Sequence, residues 1–474
     1  MTSPIPPLPN AFLAGCRSLL DAKGFLDDPD EIAPYTVDFW RQWRGKSPLV
    51  LRPANTAQVA GIVALAAASG VALVPQGGNT GLVTGGIPDP SGSQVVLSLA
   101  RLNAIRHIDP AGDHMIVEAG CVLASIQEAA RGIDRYFPLS LGAEGSCHIG
   151  GNISTNAGGV NVLRYGMTRS QVLGLEVVLP DGRIWNGLRA LRKDNTGFDL
   201  KQIFIGAEGT LGIVTAAVLR LAPLPRETQT LWLGIEGPEA AVRLLEIFSR
   251  ELGELVSSFE LLSGFGVDTA VRVLEGVRPP VEGSHPWHLL IEVAWNFTEG
   301  LAERVETALA AAMESDLVRD GTIAQSEAQR ANMWRIREGQ SEATRELGFI
   351  VRSDVTVRIN DIPVLCQRMR AWTEAEMEGV ILIPFGHVGD GNLHFNFITP
   401  EARVDELKPI LLKRLYDEVT ALKGSISAEH GIGRLKRDDL QRLKDPVELE
   451  LMEKLKATLD PKGIMNPGAI LKRR

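Results

Sequence analysis

Short apolar runs of strand type alternate with polar and glycine-rich stretches along the first half of the chain. The runs at 71–74 (VALV), 95–99 (VVLSL), 115–118 (MIVE) and 175–179 (LEVVL) predict strands. A helix is expected over 10–23. The most apolar stretch, 59–74, contains Gly61, Ser69 and Gly70 behind a candidate N-cap at Thr56, which predicts a helix, a glycine stop and a strand. The LAPLP stretch at 221–225 punctuates the chain and predicts a domain boundary. Beyond it the texture changes. Runs at 230–235, 288–294 and 380–384 alternate with amphipathic helices, one of which follows Thr298 with Leu301, Val305, Leu309 and Met313 at i,i+4 spacing. From about 425 a Gly- and Pro-containing style returns, ending in LDPKGIMNPGAIL. The fold class is α+β, with domains expected at 1–225, 226–424 and 425–474. No fixed-period repeat is present, which excludes solenoids and propellers.

Length agrees with this division, because 474 residues at roughly 150 per domain make two or three domains. Asp+Glu outnumber Lys+Arg, 58 to 49, and a net charge of -9 argues against a nucleic-acid groove. Cys16, Cys121, Cys147 and Cys366 lie far apart with no CxxC spacing, so neither a disulfide framework nor a thiolate zinc site is expected. No apolar run reaches the ~20 residues of a membrane span. The opening MTSPIPPLPNAFLAG lacks the basic start and apolar core of a signal peptide and the Arg-rich look of a transit sequence, so the expected location is the cytoplasm.

Three glycine-rich segments carry the first chemical signal. PQGGNTGLVTGG (75–86) directly follows a predicted strand, and such a loop can turn several backbone N–H groups into one concavity, which binds phosphate without a lysine. GAEGSCHIGGNISTNAGGVNVLRYG (142–166) mixes Ser146, Asn152, Ser154, Thr155 and Asn156 with glycines, suiting the sugar, pyrophosphate and polar ring edges of a large cofactor. GAEGTLGIVT (206–215) follows. Neither GxGxxG nor GxxxxGK[ST] occurs, so a nicotinamide fold and a P-loop have no local support. A single segment reads equally as a long turn; three within one domain point to an extended nucleotide-cofactor site. Cys147 and His148 within the second segment read as cofactor lining.

The second domain holds ILIPFGHVGDGNLHFNFI (381–398). Asp390-Gly391 between two strand-like runs signals a two-residue hairpin loop, which puts His387 opposite His394 with Asn396 on the same face. Two imidazoles so placed can chelate a metal; they can equally satisfy polar neighbours. SAEHGIGRLK (427–436) offers Glu429 as a third ligand and His430 as a neighbouring base. In WRIREGQSEA (334–343), Arg337 and Ser341 share a helix face at i,i+4, and Arg352 opens the strand after Gly348. Arginine forks match carboxylates, although each of these arginines alone reads as an ordinary surface residue.

The glycine loops, the His-x6-His hairpin and the Glu-His turn, in this order over about 48–471, resemble the FAD-dependent 2-hydroxy-acid dehydrogenases of the vanillyl-alcohol oxidase / p-cresol methylhydroxylase superfamily. The resemblance is nearest to the D-2-hydroxyglutarate branch, with the D-lactate branch next. It implies an N-terminal FAD-binding domain of p-cresol methylhydroxylase type, a substrate domain with an antiparallel sheet, and a C-terminal segment returning to the cofactor domain to complete the active site. FAD contacts then fall on Pro75, Gly77, Gly78, Asn79, Thr80, Gly81 and Leu82, with the pyrophosphate at 77–81. The second segment supplies Ser140, Gly142, Gly145, Ser146, Gly150, Gly151, Asn152, Ser154, Thr155, Asn156 and Gly159. Glu208, Gly209, Ile213 and Asn466 complete the set. The family's metal ligands, usually for zinc, match His387, His394 and Glu429, and its catalytic histidine matches His430. Arg337, Ser341 and Arg352, with Asn396 and His430, take the substrate positions. Ser341 and Arg352 stand where the hydroxyglutarate branch has Thr and Lys, departures that keep a hydroxyl and a charge, and Arg352 leans toward a dicarboxylate.

The resemblance implies oxidation of a D-2-hydroxy acid, with hydride passing to flavin N5, the alcohol deprotonated with the help of the metal, and His430 as general base. With no second redox centre in the chain, an external acceptor is expected: electron-transfer flavoprotein, a quinone or a cytochrome. A homodimer is a family-based expectation, and since no motif compels covalent attachment, FAD is expected to be bound non-covalently. The rivals are a short D-2-hydroxy acid such as D-lactate as substrate, a His/His/Glu metal-dependent hydrolase whose glycine loops bind a nucleotide, and a non-catalytic flavin or nucleotide binder.

Overall fold

The Ala-rich run after residue 55 folds as the helix Thr56–Ser69, and Asn55 rather than Thr56 caps it, its side chain accepting from the Gln58 amide. Gly70, at φ 68°, ends the helix in the left-handed region. In the computed structural model, which describes residues 7–473, this helix is a crossover within a four-stranded sheet of β1 (Phe25–Leu26), β2 (Val50–Leu51), β3 (Ala72–Gln76) and β4 (Gln94–Ser98). The strand order is β1-β2-β4-β3, with β4 parallel to both β2 and β3. Parallel neighbours need such a long connection. The helix expected over 10–23 is Asn10–Leu19 followed by a separate turn. The C-terminal stretch returns to this sheet, where the Leu73 amide donates to Ile464 O and the Asn466 amide to Leu73 O.

The second sheet of this unit is antiparallel, built from β5 (Ile105–Asp109), β6 (His114–Glu118), β8 (Val172–Val178), β9 (Ile184–Gly187) and β10 (Ile213–Arg220), in the order β5-β6-β10-β8-β9. A small ribbon pairs β7 (Arg135–Tyr136) with β11 (Ala222–Pro223). Val71, Leu73, Val95 and Leu97 pack with Val59, Ile62 and Val63 of the helix in one core, and Met115, Val117, Leu175 and Val177 face a second. All four cysteines are buried free thiols.

The chain divides into two units: residues up to Gly158, Met167–Pro223 and those from Glu429 onward in the first, and Gly159–Gly166 with Leu224–Ala428 in the second. The second holds a sheet of β12 (Glu227–Ile235), β13 (Val256–Ser263), β14 (Trp287–Trp295), β15 (Val318–Ile323), β16 (Phe349–Val351), β18 (Ile381–His387) and β19 (Asn392–Thr399), ordered β15-β12-β14-β13-β18-β19-β16, with β17 (Val355–Thr356) also on β19. Trp232, Leu262 and Leu290 of its strands pack against Val267, Ala270, Met333, Trp334 and Ile336 from the helices Gly264–Val273 and Glu327–Glu338. The helix after Thr298 is Leu301–Glu314, burying Leu301, Val305, Ala308 and Ala312, while Met313 is exposed because a strict i,i+4 row drifts off a 3.6-residue helix face. Residues 159–166, which the sequence reading kept in the cofactor domain, belong to the second unit because Ser258 Oγ donates to Val160 O at 2.7 Å and Arg164 reaches Ala294 O. Among the described residues, no helix is long and apolar enough to cross a membrane.

Candidate functional site

In the first unit the glycine segments enclose a cleft of ≈ 520 Å³, within the usual size of a cofactor pocket. Its wall takes in 75–87 from the first segment, residues of 141–158 from the second, Glu208 and Gly209 from the third, and Glu429 and His430. The close approach of the first two segments explains one glycine directly: a Cβ on Gly78 would stand 2.1 Å from Ser146 O. The third segment is tied to the second, the Glu208 amide donating to Ser154 O at 2.8 Å.

Not every expected contact reaches the wall. Ser140, Gly145, Ser146 and Asn156 are not among the wall residues, and Gly159 is in the second unit. Asn156 Oδ1 is occupied by the Arg169 amide. Ile213 is packed in the hydrophobic core. Asn466 spends its amide on Gly85 O and Glu208 O, and its Oδ1 accepts from Arg434, so it braces the cleft from behind. The wall also includes Phe39, Trp40 and Leu99, for which the sequence carried no motif.

Glu208 links the cleft to the Glu-His turn. Its carboxylate accepts from the Ile432 amide and the Gly433 amide, both at 2.8 Å, clamping the turn that follows His430. Gly433, at φ 52°, runs against Val83 O, where a Cβ would stand 2.0 Å away. Burial pushes the Glu208 carboxyl up to about 7, against the pull of these amides and of Lys436 and Arg434. Glu208→Ala is expected to destabilise the protein by about 1–3 kcal/mol by leaving buried amides unpaired; urea unfolding of the variant beside the parent measures it, and an unchanged midpoint would contradict the clamp.

In the second unit the hairpin differs from expectation. The loop is four residues long, with Val388–Asp390 in a 3-10 turn and Gly391 at φ 83°. His387 therefore pairs with Asn392, and His394 with Phe385. An even slip keeps side chains on their face, so the two imidazoles remain diagonal neighbours with ring centroids 5.8 Å apart and ring nitrogens within 4.8 Å. His394 Nδ1 lies 3.4 Å from Ser353 O. Asn396, on the same face, donates to Ser341 Oγ at 3.4 Å. Arg337 and Ser341 do not share one helix, since Glu327–Glu338 ends at Gly339 and Ser341 sits in the short helix Gln340–Ala343. Arg352 follows β16 instead of opening it, and burial, with Arg345 nearby, lowers its guanidinium to about 10.

The sequence reading missed the acids that organise this unit. Arg330, Trp334 and Arg337 line one face of their helix; the first two bond Glu292, at 2.9 and 2.7 Å, and Arg337 Nε bonds Glu260 at 2.6 Å. Glu260 has no exposure and also meets His387 Nδ1 at 2.6 Å. Burial works against its charge, but His387 and Arg337 overcome it and hold the carboxyl at about 2. The available signal was a lone acid within each apolar strand run, VSSFELLS and WHLLIEVAW.

Comparison with known proteins decides the family. An FAD binding domain matches residues 47–187, and the C-terminal domain of FAD linked oxidases matches 224–470. The chain belongs to the FAD linked oxidases. It is 40% identical over 446 residues to the mitochondrial D-2-hydroxyglutarate dehydrogenase of Bos taurus, covering 94% of this chain and 81% of that one. It is 35% identical over 464 residues to the D-2-hydroxyglutarate–pyruvate transhydrogenase of Saccharomyces cerevisiae, covering 96% and 93%. The solved p-cresol methylhydroxylase with substrate bound shares the fold at TM-score 0.75 and 16% identity, covering 98% of this chain and 97% of that one. The first two glycine segments thus lie within an FAD-binding domain, which answers the hydrolase alternative. The cleft suits FAD on its own evidence: Thr84 Oγ1, His148 Nδ1 and Asn152 Oδ1 are buried in its wall without protein partners, and buried polar atoms of this kind call for a polar ligand or water.

Proposed function

We propose that this oxidase converts D-2-hydroxyglutarate to 2-oxoglutarate. The observation that carries the reading is His430 in the wall of the glycine-lined FAD cleft; the identity with dehydrogenases of that acid supports it. When bound, FAD supplies a hydride acceptor at N5. The residues of the first unit hold the cofactor through backbone amides and small polar side chains. His430 takes the hydroxyl proton as general base.

In the second unit, Arg337, Ser341, Asn396 and Arg352 bind the acid, with the arginines on its carboxylates. His387 and His394 fit a divalent metal, zinc by the resemblance: with His387 Nδ1 on Glu260 and His394 Nδ1 toward Ser353 O, Nε2 is the nitrogen each ring would offer it, that of His387 standing 3.4 Å from Arg337 Nη2. Such a metal supplies Lewis acidity for the alcohol. Electrons leave to an external acceptor; electron-transfer flavoprotein, a quinone and a cytochrome qualify, and the yeast transhydrogenase adds a 2-oxo acid to these.

Arg352 separates the dicarboxylate from its short rival. Arg352→Ala is expected to raise KM for D-2-hydroxyglutarate about tenfold or more, the scale of one lost charged hydrogen bond, while KM for D-lactate stays put. Steady-state kinetics with both acids reads this, and equal effects on both would favour the short substrate.

A further inference from the structure

Glu260 sits in the middle of β13 as the strand partner of His387. Its two oxygens serve two different side chains. Oε1 faces His387 Nδ1 at 2.6 Å, and Oε2 accepts from Arg337 Nε at 2.6 Å. The 2.6 Å contact places a proton on Nδ1 between the ring and Oε1, so an imidazole that binds a metal, which must then be neutral, does so through Nε2. Arg337 Nη2, a donor only, stands 3.4 Å from that Nε2, which marks Nε2 as the acceptor nitrogen and places Nη2 where a bound metal would displace it toward the substrate. The guanidinium is held from a second side by Phe385, whose ring centre is 5.0 Å from Arg337 Cζ. One buried acid therefore sets the tautomer of a histidine and the direction of an arginine.

We propose that Glu260 is a positioning residue for the oxidation, fixing His387 to present Nε2 to the metal and fixing Arg337 to present its Nη groups to the substrate carboxylate. This rests on the metal and substrate roles given to His387 and Arg337 in the proposed function. Partners behind a metal-binding histidine typically govern affinity or activity by 10–100-fold, and a bare structural ion pair would not.

The test uses the FAD-loaded full chain. Glu260→Gln, His387→Ala and Leu244→Ala are each measured for zinc affinity by equilibrium dialysis with zinc chloride, for KM and kcat with D-2-hydroxyglutarate, and for flavin content. Glu260→Gln is expected to bind zinc about 10–100-fold more weakly and to raise KM, with its flavin retained. Leu244→Ala, a cavity in the core of the same unit, is expected to keep the parental zinc affinity and KM. If His387→Ala loses zinc and turnover while Glu260→Gln keeps parental values, the positioning role is overturned. If Leu244→Ala weakens zinc as much as Glu260→Gln does, the effect is general destabilisation and the role is again overturned. If His387→Ala itself keeps zinc and turnover, the metal assignment falls instead. Should Glu260→Gln fail to fold, Glu260→Asp, which keeps the charge and withdraws it by one methylene, carries the same readouts.

Discussion

Gly78→Val is expected to give a folded protein that holds FAD at least about tenfold more weakly. The first glycine loop passes so close to the second that the first carbon of any side chain at position 78 would stand 2.1 Å from Ser146 O and 3.0 Å from Cys147 Cα. Both contacts are with the main chain, so no rotamer change relieves them. One of the two loops must move, and both form the wall of the cleft. Overpacking costs typically 1–3 kcal/mol, and the displaced amides and the unpartnered atoms of His148 and Asn152 are those a cofactor would meet. A loss of at least about tenfold in FAD affinity follows, since 1.4 kcal/mol is tenfold. Fluorescence titration of the apoprotein with FAD measures it, with circular dichroism confirming the fold. Parental affinity would show that the loops do not form the cofactor seat.

His430→Ala and His387→Ala are expected to remove activity without removing the flavin. A positioned general base contributes typically 10²–10⁴-fold, so kcat should fall by at least about 100-fold in His430→Ala. His387 belongs to the second unit and has no part in the cleft wall, so its loss should also spare flavin content. Rapid-mixing reduction of the flavin by D-2-hydroxyglutarate isolates the chemical step in both variants. Reduction at the parental rate in either one would strip that histidine of its role.

These residues differ in how legible they were from the sequence. The glycine segments announced the cleft because they depend on local features: a strand, a loop without side chains, small polar groups. His430 and Glu429 stood out in a Gly-terminated turn, although only the fold reveals that Glu208 clamps it from over 200 positions away. The hairpin register was misjudged because Asp-Gly serves a two-residue turn and the left-handed end of a four-residue loop equally well. The error was harmless to the face, since the shift was even. Glu260 could be flagged only as a lone acid in an apolar strand run; its meaning lies in Arg337 and His387, 77 and 127 residues further on, and no local pattern encodes such a partnership. Asn466 was given to the flavin by the resemblance; what the sequence could not show is that its side chain bonds Gly85, Glu208 and Arg434.

The central claim is that a flavin in this cleft oxidises D-2-hydroxyglutarate. The visible spectrum of the purified protein, recorded anaerobically before and after that acid, with D-lactate and L-2-hydroxyglutarate in parallel, tests it most directly. A yellow protein bleached by D-2-hydroxyglutarate and not by the L-enantiomer is the predicted result. A yellow protein that none of the acids bleaches would contradict it.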